Sequence, residues 1–357
     1  MNNNKLKVLA LAICAIFTSC KSDDDNGMDN LPKGDYDNGI IISHEGNYTQ
    51  GNASISYISD DYLTVENTVF NNINNTLLGD TAQSMAFSDE LAYIVLNVSN
   101  KIEVVNRYTF ESVATINSGL INPRYMTISN GTGYVTNWGD GGDATDDYVA
   151  IIDLASNTVT STIPVGEGPE QILEKDYLLY VSHQGGWGVN NIISVIDTSD
   201  NNVGTIQVND APGAMVFDSN ENLVVLCSGA NQSWLTPPVE TLASITRIDS
   251  NTSSIIATME FASGEHPSLM AHDDDELFYI LNGSVYELDD DASTLPTTAI
   301  LDVSAVSAYG ISVDDDMLYL ADSDFQEESD LLIYNLDSGS LVQTFDLSIG
   351  AAKIYFN

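Results

Sequence analysis

Basic residues are scarce in this chain: 10 Lys and Arg stand against 52 Asp and Glu, a formal net charge of −42 over 357 residues. Lys5, Lys7, Lys21 and Lys33 lie near the N-terminus, which leaves Lys101, Arg107, Arg124, Lys175, Arg247 and Lys353 for everything that follows. Such a surface repels phosphate backbones and anionic headgroups, so nucleic acid is not an expected partner. Cysteine is nearly absent. Cys14 and Cys20 fall in the first segment and only Cys227 remains, so no disulfide can form within the body. Cys227 ends the apolar run Leu223-Val224-Val225-Leu226 and reads as a small buried residue rather than a nucleophile. Also missing are a Gly-x-Ser-x-Gly elbow, a phosphate-binding loop, a Cys-x-x-Cys-His haem site and a His-x-x-x-His pair.

Long apolar runs are missing too. The one at residues 8–17 is about ten residues long, too short to span a bilayer. It follows Lys5 and Lys7 and leads into Thr18-Ser19-Cys20, the layout of a secretory signal peptide. Residues 26–37 are rich in Gly, Asn, Asp and Pro and read as a polar tether.

Against these absences stands a repeat. Similar segments begin at Gln83, Arg124, Glu170, Gly213, Ser268, Tyr309 and Ala352, at steps of 41, 46, 43, 55, 41 and 43 residues. Self-similarity at this period predicts an all-β propeller in which each repeat is one four-stranded blade. In the copy at Arg124, Tyr125-Met126-Thr127-Ile128 is a first strand and Asn130-Gly131 a hairpin turn. Gly133-Tyr134-Val135-Thr136-Asn137, Tyr148-Val149-Ala150-Ile151-Ile152 and residues 158–163 supply the other three. Third strands are expected to end at Asp153, Asp197, Asp249, Asp289 and Asp337, each carboxylate fixing the next turn. Residues 39–43, 53–59 and 64–70 supply three more strands, and residues 351–356 match an inner strand. Pairing those two regions gives a seven-bladed propeller over residues 38–357, closed by the C-terminal strand on the N-terminal blade, without open edges.

The segment Gly133-Tyr134-Val135-Thr136-Asn137 resembles the YVTN (YncE-like) propeller repeat. The opening Ile42-Ser43-His44-Glu45-Gly46-Asn47-Tyr48 is similar to that of surface propeller lipoproteins of Bacteroidota. Thr18-Ser19-Cys20 resembles a lipobox, with Phe17 a departure from it, and Lys21-Ser22-Asp23-Asp24-Asp25 resembles the acidic signal that exports such lipoproteins to the cell surface. By resemblance, residues 1–19 are a lipoprotein signal peptide, Cys20 is the lipidated N-terminus and residues 20–37 are a tether. The protein is then held at the outer membrane by lipid alone, facing outward.

Candidate chemistry gathers in loops on one face of the propeller, the face of the loops between second and third strands. All three tryptophans, Trp138, Trp187 and Trp234, fall there, with His44, Glu45, Tyr48, Asn137, His183, Gln184 and Phe325. His266 precedes an inner strand on the same side, and Arg124, Tyr309 and Lys353 begin inner strands. Flat aromatic faces beside polar groups suit a planar or sugar-like ligand, and Arg124 and Lys353 suit an anionic group on it. His44, Glu45, His183 and His266 contain metal-ligand types without short ligand spacing. Asp140, Asp143, Asp146 and Asp147 are weak candidates for a structural Ca²⁺, lacking the EF-hand pattern. No other cofactor is expected. The resulting expectation is a non-enzymatic surface lipoprotein that binds a small molecule, for which the resemblance implies a TonB-dependent transporter as partner and a corrinoid, iron chelate or glycan as ligand. The rival readings are a propeller lyase or lactonase-type hydrolase using His44, Glu45 and His183, and an adhesive surface module.

Overall fold

The computed structural model describes residues Lys33–Asn357. The signal peptide, Cys20 and the tether up to residue 32 lie outside the described residues. Seven four-stranded antiparallel sheets form the blades. Their inner strands are, in order, Ala351–Phe356, Ala82–Ser88, Pro123–Ser129, Pro169–Lys175, Pro212–Phe217, Met270–Asp273 and Ala308–Asp314, taken here as blades 1 to 7. Neighbouring inner strands contact one another around a central channel. The chain is a seven-bladed β-propeller.

Second strands are almost wholly buried, for example Leu91–Leu96 and Leu178–His183. Each is covered on both faces by adjoining blades, which explains their near-continuous apolar sequences. Outer strands such as Thr158–Pro164 and Ser254–Glu260 are mostly exposed and alternate with polar residues. The core is divided accordingly. Seven hydrophobic clusters lie one between each pair of neighbouring blades. One of them joins Tyr319, Leu331 and Phe345 of blade 7 to Ile40, Ile42 and Ile354 of blade 1, so the ring is closed by packing as well as by strand pairing.

Closure follows the expected scheme. Gly39–His44 pairs with Ser54–Ser59 on one side and with the C-terminal strand Ala351–Phe356 on the other. Gly310 permits the close approach this needs, because a Cβ there would collide with the Ala352 carbonyl. The outermost strand of blade 1 differs from expectation. Instead of residues 64–70 it is only Val65–Glu66, followed by the short helix Val69–Asn74, which buries Val69 and Phe70. Two apolar side chains thus reach the core from a helix that covers the blade's end. Residues 33–37, expected in the tether, belong to the folded body: Tyr36 is buried, packs edge-on against Tyr57 and Phe110, and donates its N–H to the Tyr108 carbonyl.

The turn chemistry holds at three of the five expected aspartates; at Asp289 the turn N–H of Ala292 goes to the main-chain carbonyl instead. Asn130 and Gly131 both take positive φ, 48° and 72°, as a tight hairpin requires. Asp153, Asp197 and Asp249 accept N–H groups two residues on. In blade 7 the third strand ends at Asn335, and its amide oxygen, not Asp337, accepts the turn N–H of Ser338.

Candidate functional site

In six blades the inner strand slips register against its neighbour near its start, between Ala351/Lys353, Ala82/Ser84, Pro123/Met126, Pro169/Ile172, Pro212/Met215 and Ala308/Gly310. Such bulges leave residues outside the ladder and turn their side chains away from it. The displaced residues in blades 2, 3 and 7 are Gln83, Arg124, Tyr125 and Tyr309. In blades 4 and 5 they are Glu170, Gln171, Gly213 and Ala214. All of them line a cavity of about 380 Å³ at the channel mouth, joined by Lys353 from blade 1 and Ser268 from blade 6. Six of the seven repeat starts therefore meet at one place, and Ala352 is represented by its neighbour Lys353.

The Thr136 and Asn137 side chains hold this arrangement. Thr136 Oγ1 accepts the Tyr125 N–H at 3.0 Å, a donor freed by the bulge, and donates to the Glu170 carbonyl of the next blade at 2.7 Å. Ser182 repeats the device, accepting from Gln171 N–H and donating to the Gly213 carbonyl. Asn137 is fully buried; it donates to the Val135 carbonyl and accepts the Ile121 N–H. Expected as a ligand contact, Asn137 is instead a loop brace.

The mouth carries two carboxylates and two cations. Arg124 donates from Nε and Nη2 to the two oxygens of Glu170, at 2.9 and 2.7 Å, with its guanidinium 4.2 Å from the Trp138 ring centre. This bidentate, stacked geometry is one that lysine could not reproduce. Glu45 accepts from the Tyr309 hydroxyl at 3.2 Å, and burial raises its carboxyl above the usual range. Lys353 lies 5.9 Å from the Tyr125 ring centre and forms no ion pair within 4.0 Å among the described residues.

Beside this channel, and sharing Glu45, Gln83, Arg124 and Tyr309 with it, is a second cavity of about 400 Å³. Its aromatic walls are Tyr48, Trp138, Trp187, Tyr309 and Phe325. Trp138 and Trp187 meet edge to face at 6.4 Å, and Tyr309 and Phe325 at 4.8 Å. Trp138 is half-buried, with its indole N–H donated to the Pro169 carbonyl, whereas Trp187 is 81% exposed. Gln184 lines the channel.

Four other expected site residues are elsewhere. Trp234 is 73% exposed but lines neither cavity, because its long loop folds into a hairpin of its own, Asn231–Gln232 with Val239–Glu240. His44 and His183 are fully buried. Their Nδ1–H groups donate to the Ser348 and Glu167 carbonyls, and burial lowers both imidazoles to about 4, so they are neutral loop staples. His266 likewise donates from Nδ1 to the Ser228 carbonyl. The set His44, Glu45 and His183 therefore does not converge, and no group of three His, Cys, Asp or Glu side chains suited to a metal occurs among the described residues. Asp140, Asp143 and Asp146 are exposed, and each accepts an N–H group of its own loop. Asp147 is buried, accepts the Gly168 N–H, and is raised to about 6 by burial. Cys227 is fully buried, which pushes its thiol up to about 12.

No protein-family model and no curated protein sequence matches the chain. Solved structures do. The computationally designed Ika8 protein superposes with a TM-score of 0.56 at 12% identity, over 91% of this chain and 92% of that one. Dihydro-heme d1 dehydrogenase NirN in complex with DHE gives 0.55 at 11%, over 91% and 76%. The extracellular domain of a one-component system from B. thetaiotaomicron gives 0.60 at 11%, over 83% of this chain and 41% of that one. At these identities the likeness carries the fold alone.

Proposed function

We propose that the propeller is the ligand-binding body of a surface lipoprotein, which captures a ring-bearing small molecule at its channel mouth without transforming it. The observation that supports this most is the aromatic cavity beside the polar channel, with Trp187 left 81% exposed at its rim. Burying an exposed indole against a ligand gains apolar contact, while Gln83, Gln184 and Glu45 below offer polar groups that orient it. Volumes of about 380 and 400 Å³ suit a molecule of a few rings. A short oligosaccharide fits within those volumes, whereas a corrinoid or a large iron chelate would enter only in part and project from the mouth.

An outward address is supported by the signal-plus-Cys20 pattern with its acidic flank, and by a propeller of the same fold acting as an extracellular domain in B. thetaiotaomicron. A capture protein in that position needs a carrier across the outer membrane, and a TonB-dependent transporter is the partner proposed. Titrating the protein with corrinoids, ferric chelates and oligosaccharides, following tryptophan emission and ligand integrity together, tests the reading. Saturable binding of one class without turnover is expected. Turnover, or binding that survives removal of Trp187, would replace capture at this mouth with another function.

A further inference from the structure

Of the seven cations among the described residues, two reach the channel mouth, and they are not equivalent. Arg124 is committed: Nε and Nη2 are held by Glu170, and its face is stacked on Trp138. Taking an anion would mean giving up contacts that are already charge-assisted and largely buried. Among the described residues Lys353 has no carboxylate within 4.0 Å, and Glu45, which lines the same cavity, acts on it only from beyond that distance. Glu45 is itself engaged by the Tyr309 hydroxyl. A largely enclosed ammonium with no carboxylate in direct contact is costly unless something supplies the nearby charge.

Resting on the capture reading above, we propose that Lys353 makes this mouth selective for acid-bearing ligands: its ammonium receives a carboxylate while the ligand's ring lies against the aromatic wall. Tyr125 beside it raises the Lys353 ammonium above the ordinary lysine value, so it stays charged throughout the physiological range. The acidic surface at large would repel anions. Selection therefore depends on one short contact at the channel, where screening by salt is weak. Lys353 also belongs to the strand that closes the ring, which places the anchor on the seam between the two ends of the chain.

A matched pair of probes separates this from the capture reading itself. 4-Methylumbelliferyl-β-D-glucuronide and the corresponding glucoside share the planar coumarin and the sugar ring and differ in a carboxylate against a hydroxymethyl group. Wild-type protein should bind both, the glucuronide about tenfold or more tighter, the scale of one charge-assisted hydrogen bond. Lys353→Met should lose that preference, so that the two probes bind within about twofold of each other, and Lys353→Arg should recover part of it. Melting curves of both variants establish that the closing strand still pairs. Equal binding of the two probes by wild type, or a preference that survives in Lys353→Met, overturns the role of Lys353 and leaves capture standing. Binding of neither probe at millimolar concentration counts against both.

Discussion

Blades 3 and 4 and blade 5 present the same bulged backbone to the channel, yet the first two place Arg124, Glu170, Trp138 and Trp187 around it while blade 5 places Gly213 and Ala214. Blade 6 adds the Ser268 hydroxyl and the apolar Leu269 and Met270 to that side, and no charge. The framework is common and the contents are not. One sector of the mouth supplies charge and aromatic surface; the other supplies room. The difference teaches that fold and site are written in different residues of one repeat: the Thr136 and Ser182 hydroxyls build the bulge, and the bulge residues themselves are left open to vary.

Removing the seam should have the largest effect on both sectors. Deleting residues 351–357 takes away the inner strand of blade 1 and with it Lys353, Ile354 and the packing between blades 7 and 1. Loss of the cooperative melt and aggregation through the exposed edge are expected; a truncated protein that melts like the parent would break the closure scheme.

Next in size is the filled sector's ion pair. Arg124→Ala leaves Glu170 buried without a partner and should cost about 3–5 kcal/mol, whereas Arg124→Met with Glu170→Met together should cost much less. Ser268→Ala on the bare side should stay within about 0.5 kcal/mol. Chemical denaturation of the four proteins compares them, and an inexpensive Arg124→Ala would mean that the pair contributes little to the mouth.

Acid should act through the staples beneath the mouth. His44 and His183 titrate near 6.5 when unfolded and about 4 when folded, so between those values the unfolded chain binds more protons. Their contribution is complete above about pH 6.5 and is lost as pH falls toward 4, about 3 kcal/mol for each imidazole. Asp147 runs the other way. Its folded value of about 6 lies above its unfolded one, so it favours the fold below pH 6 and offsets part of the imidazoles' share. Acidification from pH 7 to 4.5 should therefore carry an imidazole cost, which His183→Gln should reduce relative to wild type. A profile unchanged by the substitution would show that the buried imidazole is not its source.

Architecture was legible because strand alternation, turn residues and repeat spacing all report backbone geometry. The repeat starts Gln83, Arg124, Glu170, Gly213, Ser268 and Tyr309 even marked the channel lining, although nothing in their spacing revealed that Arg124 grips Glu170 one blade away. His44, His183 and Asn137 misled because their types suggest chemistry and a linear sequence does not show which way a strand-end side chain turns; all three turn inward to carbonyls. Trp234 misled for a different reason. Its loop is long enough to form a separate hairpin and carry the indole away from the mouth.

Trp187 and Trp234 decide the central claim, since both are exposed indoles on loops of the same face and only one lines the cavity. The measurement is ligand affinity of Trp187→Ala beside Trp234→Ala, each with its melting curve, using whichever of the corrinoid, ferric chelate or oligosaccharide probes wild type binds. Both variants should melt with wild type. Trp187→Ala should weaken binding by about 1–3 kcal/mol, the cost of losing a contact anchor, and Trp234→Ala should leave it unchanged. Equal losses from the two, or a loss confined to Trp234→Ala, would place the site away from the channel mouth.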